Sequence, residues 1–452
     1  MKRALLFLFL ILSYQSAFSQ WEMLPGANQG NVAGGFGLTW IDGQPCYAVH
    51  LRPEIGFSNF GVGLDLNLEF TSEGKLRKEN FNEFSDYLSI IRYVRYGYKR
   101  DDVYVRLGAL DYATLGHGSI MYMYNNSPTY DVRKIGLEFD LDFNAFGFES
   151  VYGNFGETGV AGLRGYVRPL KFGGSEIPII SNLEVGATFA TDFNKYASVI
   201  NGTYNHTNNK FNITDDHGAI KIMGLDIGLP IGLSSFITLT PYFDFAKIVD
   251  FGSGTAAGLM FDLNGLGLVD VRAKLERRFN GDNYLPSYFN SLYEIQRFAL
   301  DTSTGTFSGK AAGLNALESV GNGFYGELLV RVLNTFDIIG SYQRLDDYPT
   351  SGILHLMADV SPKDGSYVAR AGYDKVNIQD EKDLFTLDDR SYLYTEVGYK
   401  PYPYLLVSLV YQWTFAPVRD ADDRVIEFKP QKKIEPRVSF IYPFDFGPTQ
   451  PK

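Results

Sequence analysis

Glu138, Asp140 and Asp142 stand two residues apart within Arg133 to Phe155, RKIGLEFDLDFNAFGFESVYGNF, and Glu149 follows on the far side of Gly147. Carboxylates this close could work as acid and base, hold a cation, or repel one another into water. Acid–base catalysis needs side chains that converge on one proton. A period of two does something else. On an extended chain it sends all three acids to one face and Ile135, Leu137, Phe139, Leu141 and Phe143 to the other. The chain then turns through Asn144-Ala145-Phe146-Gly147, with Gly147 expected in the left-handed conformation of a four-residue hairpin loop. It returns with Phe148 and Tyr152 on the apolar face and Glu149 on the charged one, opposite Asp140 or Asp142. Like charges directly opposite destabilise a packed sheet face. That face therefore belongs in water, and the other against something apolar.

Other chemistry is sparse. His50, His117, His206, His217 and His355 are scattered without metal-ligand spacing. Gly116-His117-Gly118-Ser119 has the look of a nucleophile site, but no Ser–His–Asp arrangement is recognisable, and a lone histidine in a polar loop reads as solvated. Asp380, Glu381, Asp383, Asp388 and Asp389 make one loop acidic, and Asp420, Asp422 and Asp423 another. Arg424 stands where a calcium loop wants a ligand, so these read as solvated loops that at most bridge cations to lipopolysaccharide. No cofactor and no metal site is expected.

Composition narrows the class. The net charge of −11 argues against a nucleic-acid partner, and a single cysteine, Cys46, leaves no intramolecular disulfide. Lys2 and Arg3, the apolar run Ala4 to Leu12, and Ala17 and Ser19 before Gln20 read as a signal peptide over 1–19, too short to anchor in a bilayer. No composition break divides 20–452, which reads as one domain.

The alternation recurs to the end of the chain. Val62, Leu64, Leu66, Leu68 and Phe70 oppose Gly63, Asp65, Asn67 and Glu69; Val269, Val271, Ala273 and Leu275 oppose Asp270, Arg272, Lys274 and Glu276. About twenty strands, with 18–22 as the range, approach the length a tilted strand needs to cross a bilayer. Ile90-Ile91-Arg92 breaks the alternation and predicts a bulge. Connections alternate between short turns, such as 57–58, 99–101, 144–147 and 401–403, and long loops at 71–86, 113–132, 194–217, 280–321, 379–389 and 417–431. That asymmetry predicts an all-β, transmembrane, antiparallel up-and-down β-barrel with long loops outside and both termini periplasmic. Tyr96, Tyr98, Tyr399, Tyr402, Tyr404, Trp413 and Phe415 fall at strand ends, where the membrane interfaces should be.

In its export signal, amphipathic strands, loop asymmetry and aromatic last strand (Val438, Phe440, Tyr442), the chain resembles porin-like outer-membrane β-barrels of Gram-negative bacteria. The resemblance carries no cargo motif. It implies a barrel in the outer membrane, in contact with lipid and lipopolysaccharide, passing small polar solutes or ions. A non-conducting scaffold of a surface or secretion complex and an outer-membrane hydrolase remain as alternatives, and oligomeric state and protein partners stay open. Asp65, Glu69, Arg106, Glu138, Asp140, Asp142, Glu149, Arg164, Arg168, Asp270, Arg272 and Lys274 are expected to line the lumen. Acids outnumber bases on the inward face, which predicts cation preference. Twenty strands about 4.8 Å apart and tilted about 40° enclose a cylinder roughly 40 Å across, too wide for side chains to fill. Within Asn280 to Gly321, Leu285, Phe289, Leu292, Ile295 and Phe298 follow Pro286-Ser287 at helical spacing. They suggest a short helix folded into the mouth, with an outer lid or two further strands as the alternatives.

Overall fold

The computed structural model describes residues 28–445 except 78–80, 82–86, 88–89, 130–132, 174–179, 206, 302, 318–319, 334, 361, 363–365 and 422–424. The expected signal peptide, His206, Asp422, Asp423 and Arg424 lie outside the described residues. Each strand of the main sheet pairs antiparallel with the next strand of that sheet, from Gln29–Ile41 onward, and the last, Val425–Asp445, returns to the first from Gln29↔Asp445 to Ile41↔Lys433. The sheet is thus a closed ring of twenty staves. Two staves are interrupted: Phe60–Leu64 and Leu66–Thr71 break at Asp65, and Ile220–Gly228 continues as Ile231–Gly232. All the expected strands are present and up-and-down. Lipid offers no hydrogen-bond partner, so a spanning sheet must close on itself.

The two faces are inverted relative to a water-soluble protein. Phe36, Leu163, Leu225, Leu275, Leu328 and Leu409 are exposed, whereas Glu69, Arg106, Glu138, Arg164, Glu276 and Glu435 are buried. An apolar exterior around a charged interior is the surface a bilayer-spanning barrel presents.

Local geometry departs from expectation at the opening hairpin. Asn144, not Gly147, takes the left-handed backbone, with φ 65°, and the return strand already begins at Phe146. Gly147 is required for space instead: a Cβ there would meet the Leu141 carbonyl oxygen and the Tyr166 ring. The flanking pairs Leu141↔Phe148 and Glu138↔Val151 keep Glu149 level with Asp140. The predicted bulge is present, since Gly63 pairs with Tyr93 and Leu64 with Ile91, leaving Arg92 as the extra residue.

The long loops do not simply hang outside. Val199–Asn205 and Lys210–Asp216 form a hairpin that joins Phe298–Asp301 and Thr306–Gly309 in a separate four-stranded sheet. The strands in 280–321 therefore exist but are not staves. Ser287 has φ 51°, which bars a helix start there, and among the described residues of 280–321 helix is limited to Tyr293–Gln296 and Ala312–Asn315. The preceding segment instead lies alongside 119–122: Met121 bridges Phe289 in parallel, and the Ser287 and Phe289 amides donate to Ser119 and Ile120 carbonyls at 2.8 and 3.2 Å. Leu115, Ile120, Met121 and Tyr124 from one loop pack with Tyr288, Phe289, Tyr293 and Leu314 from the other, against inner-face Ile220, Ile222 and Ile248. An apolar core thus sits inside the ring.

Tyr399, Tyr402, Tyr404 and Tyr442 are exposed, as interface residues should be. Phe415 is not; it is fully buried against Leu292 and Val376. The last hairpin is also longer than expected, Leu405–Arg419 against Val425–Asp445. Its extension packs Val418 and Ile426 on Tyr204 and Phe307 of the separate sheet.

Leu225, exposed at the middle of its stave, should punish charge: Leu225→Arg is predicted to cost about 2–4 kcal/mol in refolding from lipid vesicles. Gly372, where an added Cβ meets nothing within 4 Å, should accept Asn on the inner face at far lower cost. Not every inner position is tolerant: Asn67 is buried and bonded to His50 Nδ1 at 2.5 Å, so Asn67→Arg should be costly as well. Equal tolerance at Leu225 and Gly372 would contradict the assignment of faces.

Candidate functional site: the barrel interior

Glu138, Asp140, Asp142 and Glu149 are each met by a base. Lys99, in the turn beyond Tyr96, reaches Glu138 at 3.3 Å and Asp140 at 2.8 Å, and the Tyr104 hydroxyl donates to Glu138. Arg168 bonds Asp142 at 2.7 Å and Glu184 at 3.0 Å. Arg164 spans Glu184 at 2.7 Å, Asp226 at 2.6 Å and Glu149 at 3.5 Å, and the Gly116 amide donates to Glu149 at 2.8 Å. Asp65 is held by Arg52 and Arg133, at 2.7 and 2.8 Å, and Glu69 by Arg77 and Lys433, at 3.2 and 3.1 Å. Arg106 meets Asp111 at 3.1 Å, Arg272 meets Asp262 at 2.6 Å, and Lys274 meets Glu276 at 2.8 Å. Asp270 stands apart at a turn, where it accepts the Gly265 amide.

The expected acid excess is therefore largely compensated. Lys99, Arg133, Lys134, Arg278 and Lys433 were not anticipated as interior bases, and all form ion pairs there. Continuing the alternation from Glu276 to Arg278 and back from Glu435 to Lys433 would have found two of them. Continuing back from Glu138 through Gly136 to Lys134 would have found a third, whereas Lys99 sits in a turn and Arg133 has the opposite parity, so neither carried that signal.

A buried network ties both infolded loops to the wall. Arg297 donates to Asp192 and Glu294, each at 2.7 Å, and Lys134 pairs with Glu294. Tyr124 donates to Glu294 at 2.6 Å and Tyr293 to Asp192 at 2.8 Å. Asp192 ends a stave, Tyr124 and Lys134 belong to the first loop, and Tyr293, Glu294 and Arg297 to the second.

The Gly116–Ser119 segment lies within the barrel instead of in a solvated outer loop. Asp244 accepts from both the Ser119 hydroxyl at 2.6 Å and His117 Nδ1 at 2.7 Å, His117 stacks on Tyr242, and Lys274 donates to the His117 carbonyl at 2.5 Å. Serine and histidine thus share one acid, whereas nucleophilic catalysis needs serine bonded to histidine. The geometry fits a fastening of the loop to the wall.

The first acidic outer loop is clamped instead of merely solvated. Arg390 bonds Asp383 at 2.8 Å and also Asp388, while buried Lys375 reaches both, at 3.2 and 3.1 Å. Burial opposes ionisation of Asp383 and Asp388, but Arg390 and neighbouring donors overcome it and hold both below the usual carboxylate range. A depressed acid stabilises the fold above its ordinary range and loses that contribution as pH falls through the lowered value. Amide protection in 379–390, taken relative to the intrinsic exchange rate at each pH, should therefore be high at pH 7 and fall below about pH 4. Arg390→Gln should reproduce the acid behaviour at pH 7. Exchange indifferent to both changes would contradict the clamp.

No family model matches the chain, and no curated protein matches it in sequence. Solved structures similar to it include OccK11 of Pseudomonas aeruginosa, at 10% identity and TM-score 0.30, covering 94% of this chain and 100% of that one. OccAB3 of Acinetobacter baumannii stands at 11% and 0.28, covering 92% and 99%. The siderophore receptor PirA of Acinetobacter baumannii stands at 9% and 0.38, covering 94% and 81%. Likeness at this level assigns neither cargo nor mechanism to this chain, whose own closed and paired staves establish the barrel.

Proposed function

We propose that the chain is a porin-like channel of a Gram-negative outer membrane, passing small polar solutes or ions through a lumen narrowed by its own loops. The observation that carries this reading is the exposure of arginine on the inner wall. Arg52, Arg92 and Arg370 keep 37%, 38% and 37% of their side chains exposed, while their partners Asp65, Glu54 and Asp359 keep 9%, 13% and 15%. Water reaches these guanidinium groups inside a closed sheet, which supports a path for solutes along this wall. On that path a solute meets bases in front of buried acids, and the cation preference expected from counting side chains does not follow. Asp65, Glu69, Arg106, Glu138, Asp140, Asp142, Glu149, Arg164, Arg168, Arg272 and Lys274 then form the charged wall of the lumen, with Asp270 at its short-turn rim. In the cell the long loops would face outward and both termini the periplasm, following export by the segment 1–19.

Purified protein in a planar bilayer tests the reading. Small, stable unitary steps are expected. Arg297→Ala should enlarge them, because breaking a buried ion pair costs about 3–5 kcal/mol and frees the loops. Arg52→Gln with Arg370→Gln should move the reversal potential toward cations at 0.01 M salt. The shift should fade near 1 M, as the screening length falls from about 30 Å to about 3 Å. Folded protein that conducts nothing would contradict the channel and favour a scaffold.

A further inference from the structure

We infer that the lipid-facing outer rim of six neighbouring staves, from Ile220–Gly228 to Phe336–Leu345, binds the phosphates of lipopolysaccharide through Lys221, Lys247, Arg277 and Arg344. The inference rests on the orientation proposed above, with the long loops outside, and not on conduction.

Three observations carry it. First, charge on the outward face is segregated. Around the described staves, the pairing register puts Lys221, Lys247, Arg277, Arg344, Lys375 and Lys432 at outward positions. These charged residues are all bases, and all lie toward the long-loop end; the outward positions toward the short turns carry no charge of either sign. Charge is tolerated on a lipid-facing stave near either interface. Bases at one end and none at the other match an anionic leaflet on the long-loop side.

Second, the bases of the row are little used by the protein itself. Lys221 and Lys247 are exposed on adjacent staves, Lys247 opposite Met223, and neither ammonium group meets a partner among the described residues. Arg344 donates to the Ile378 and Gln379 carbonyls, at 3.0 and 2.9 Å, and meets no carboxylate among the described residues. Of the four, Arg277 alone pairs with an acid, the exposed Asp346 at 3.0 Å. Lys375 differs, being buried and already neutralised by Asp383 and Asp388, and Lys432 lies on the closing stave apart from the row. The row crosses six staves, roughly 24 Å at about 4.8 Å per step. Its bases repel one another until anions come between them.

Third, the row sits above an apolar wall. Phe324 is exposed and stands in register between Arg277 and Arg344, its ring 4.1 Å from the Arg277 guanidinium. Met223, Leu225 and Leu275 are exposed on the same staves, nearer the short turns. A free anion uses none of that surface. An amphiphile with phosphates above acyl chains uses both parts.

The test is equilibrium binding to the full protein in detergent. Bisphosphorylated lipid A is the probe, with the same lipid dephosphorylated and inorganic phosphate as comparators. Saturable binding of lipid A is expected, weakened at least tenfold by loss of its phosphates. Lys221→Gln with Lys247→Gln should weaken it at least threefold, and adding Arg277→Gln and Arg344→Gln at least tenfold. Heat-modifiable migration checks folding; the lysine pair removes no bond the fold uses and decides alone if the fourfold variant does not fold. Lys195→Gln with Lys210→Gln takes two charges from the outer loops instead and should leave affinity unchanged. Equal binding of the dephosphorylated lipid, displacement by equimolar inorganic phosphate, unchanged affinity in the folded rim variants, or an equal loss in the loop variant would each overturn the inference. In intact cells, Lys210→Cys in a Cys46→Ser background should label with an impermeant maleimide. Protection there removes the orientation and with it access to that leaflet, whereas labelled cells without lipid A binding to the purified protein remove only the site.

Discussion

Closure of the sheet is the constraint from which the rest of the molecule follows. Strands in lipid must pair on both edges, and joining Gln29–Ile41 to Val425–Asp445 achieves this for all twenty. A ring of that size encloses more space than inward side chains can occupy. Long loops enter it, and loop backbone taken out of water must find partners. The pairing of 119–122 with 287–289 supplies them without adding a stave.

Interior charge obeys a related rule. A carboxylate removed from water is tolerated when a base and further donors meet it. Glu149, Glu184 and Asp226 converge on Arg164, drawn from separate staves, with Gly116 of a loop completing the set. Such pairing adds specificity more than stability. A one-residue slip of any of these staves would turn its charges to lipid and its leucines inward. The same network that neutralises the acids therefore fixes the register and holds the loops in place.

Much of this was legible in the sequence because period-two alternation is local. Strand count, order and faces came from neighbours such as Leu141 and Asp142, as did the bulge at Arg92. The hairpin at Asn144 misled because Gly147 looked like the conformational exception when it is the steric one. The interior resisted for a different reason. Phe289 and Leu292 sit at helical spacing, yet Ser287 and the neighbouring chain 119–122 impose an extended path that no local pattern announces. Lys99 meets Glu138 only because a turn folds back, and Arg297 meets Asp192 only because a long loop re-enters the ring. Contacts of that kind belong to topology.

The interior of the barrel depends most on the two loops meeting inside the ring. Cysteine trapping tests this directly: in a Cys46→Ser background, Met121→Cys with Phe289→Cys places thiols on a bridged pair, within the few ångströms a disulfide spans. Mild oxidation of folded protein in lipid vesicles should yield the 121–289 disulfide quantitatively, shielded from large thiol reagents added outside. Free thiols that fail to join, or that label readily from the outer solution, would place the loops outside the barrel and contradict the account.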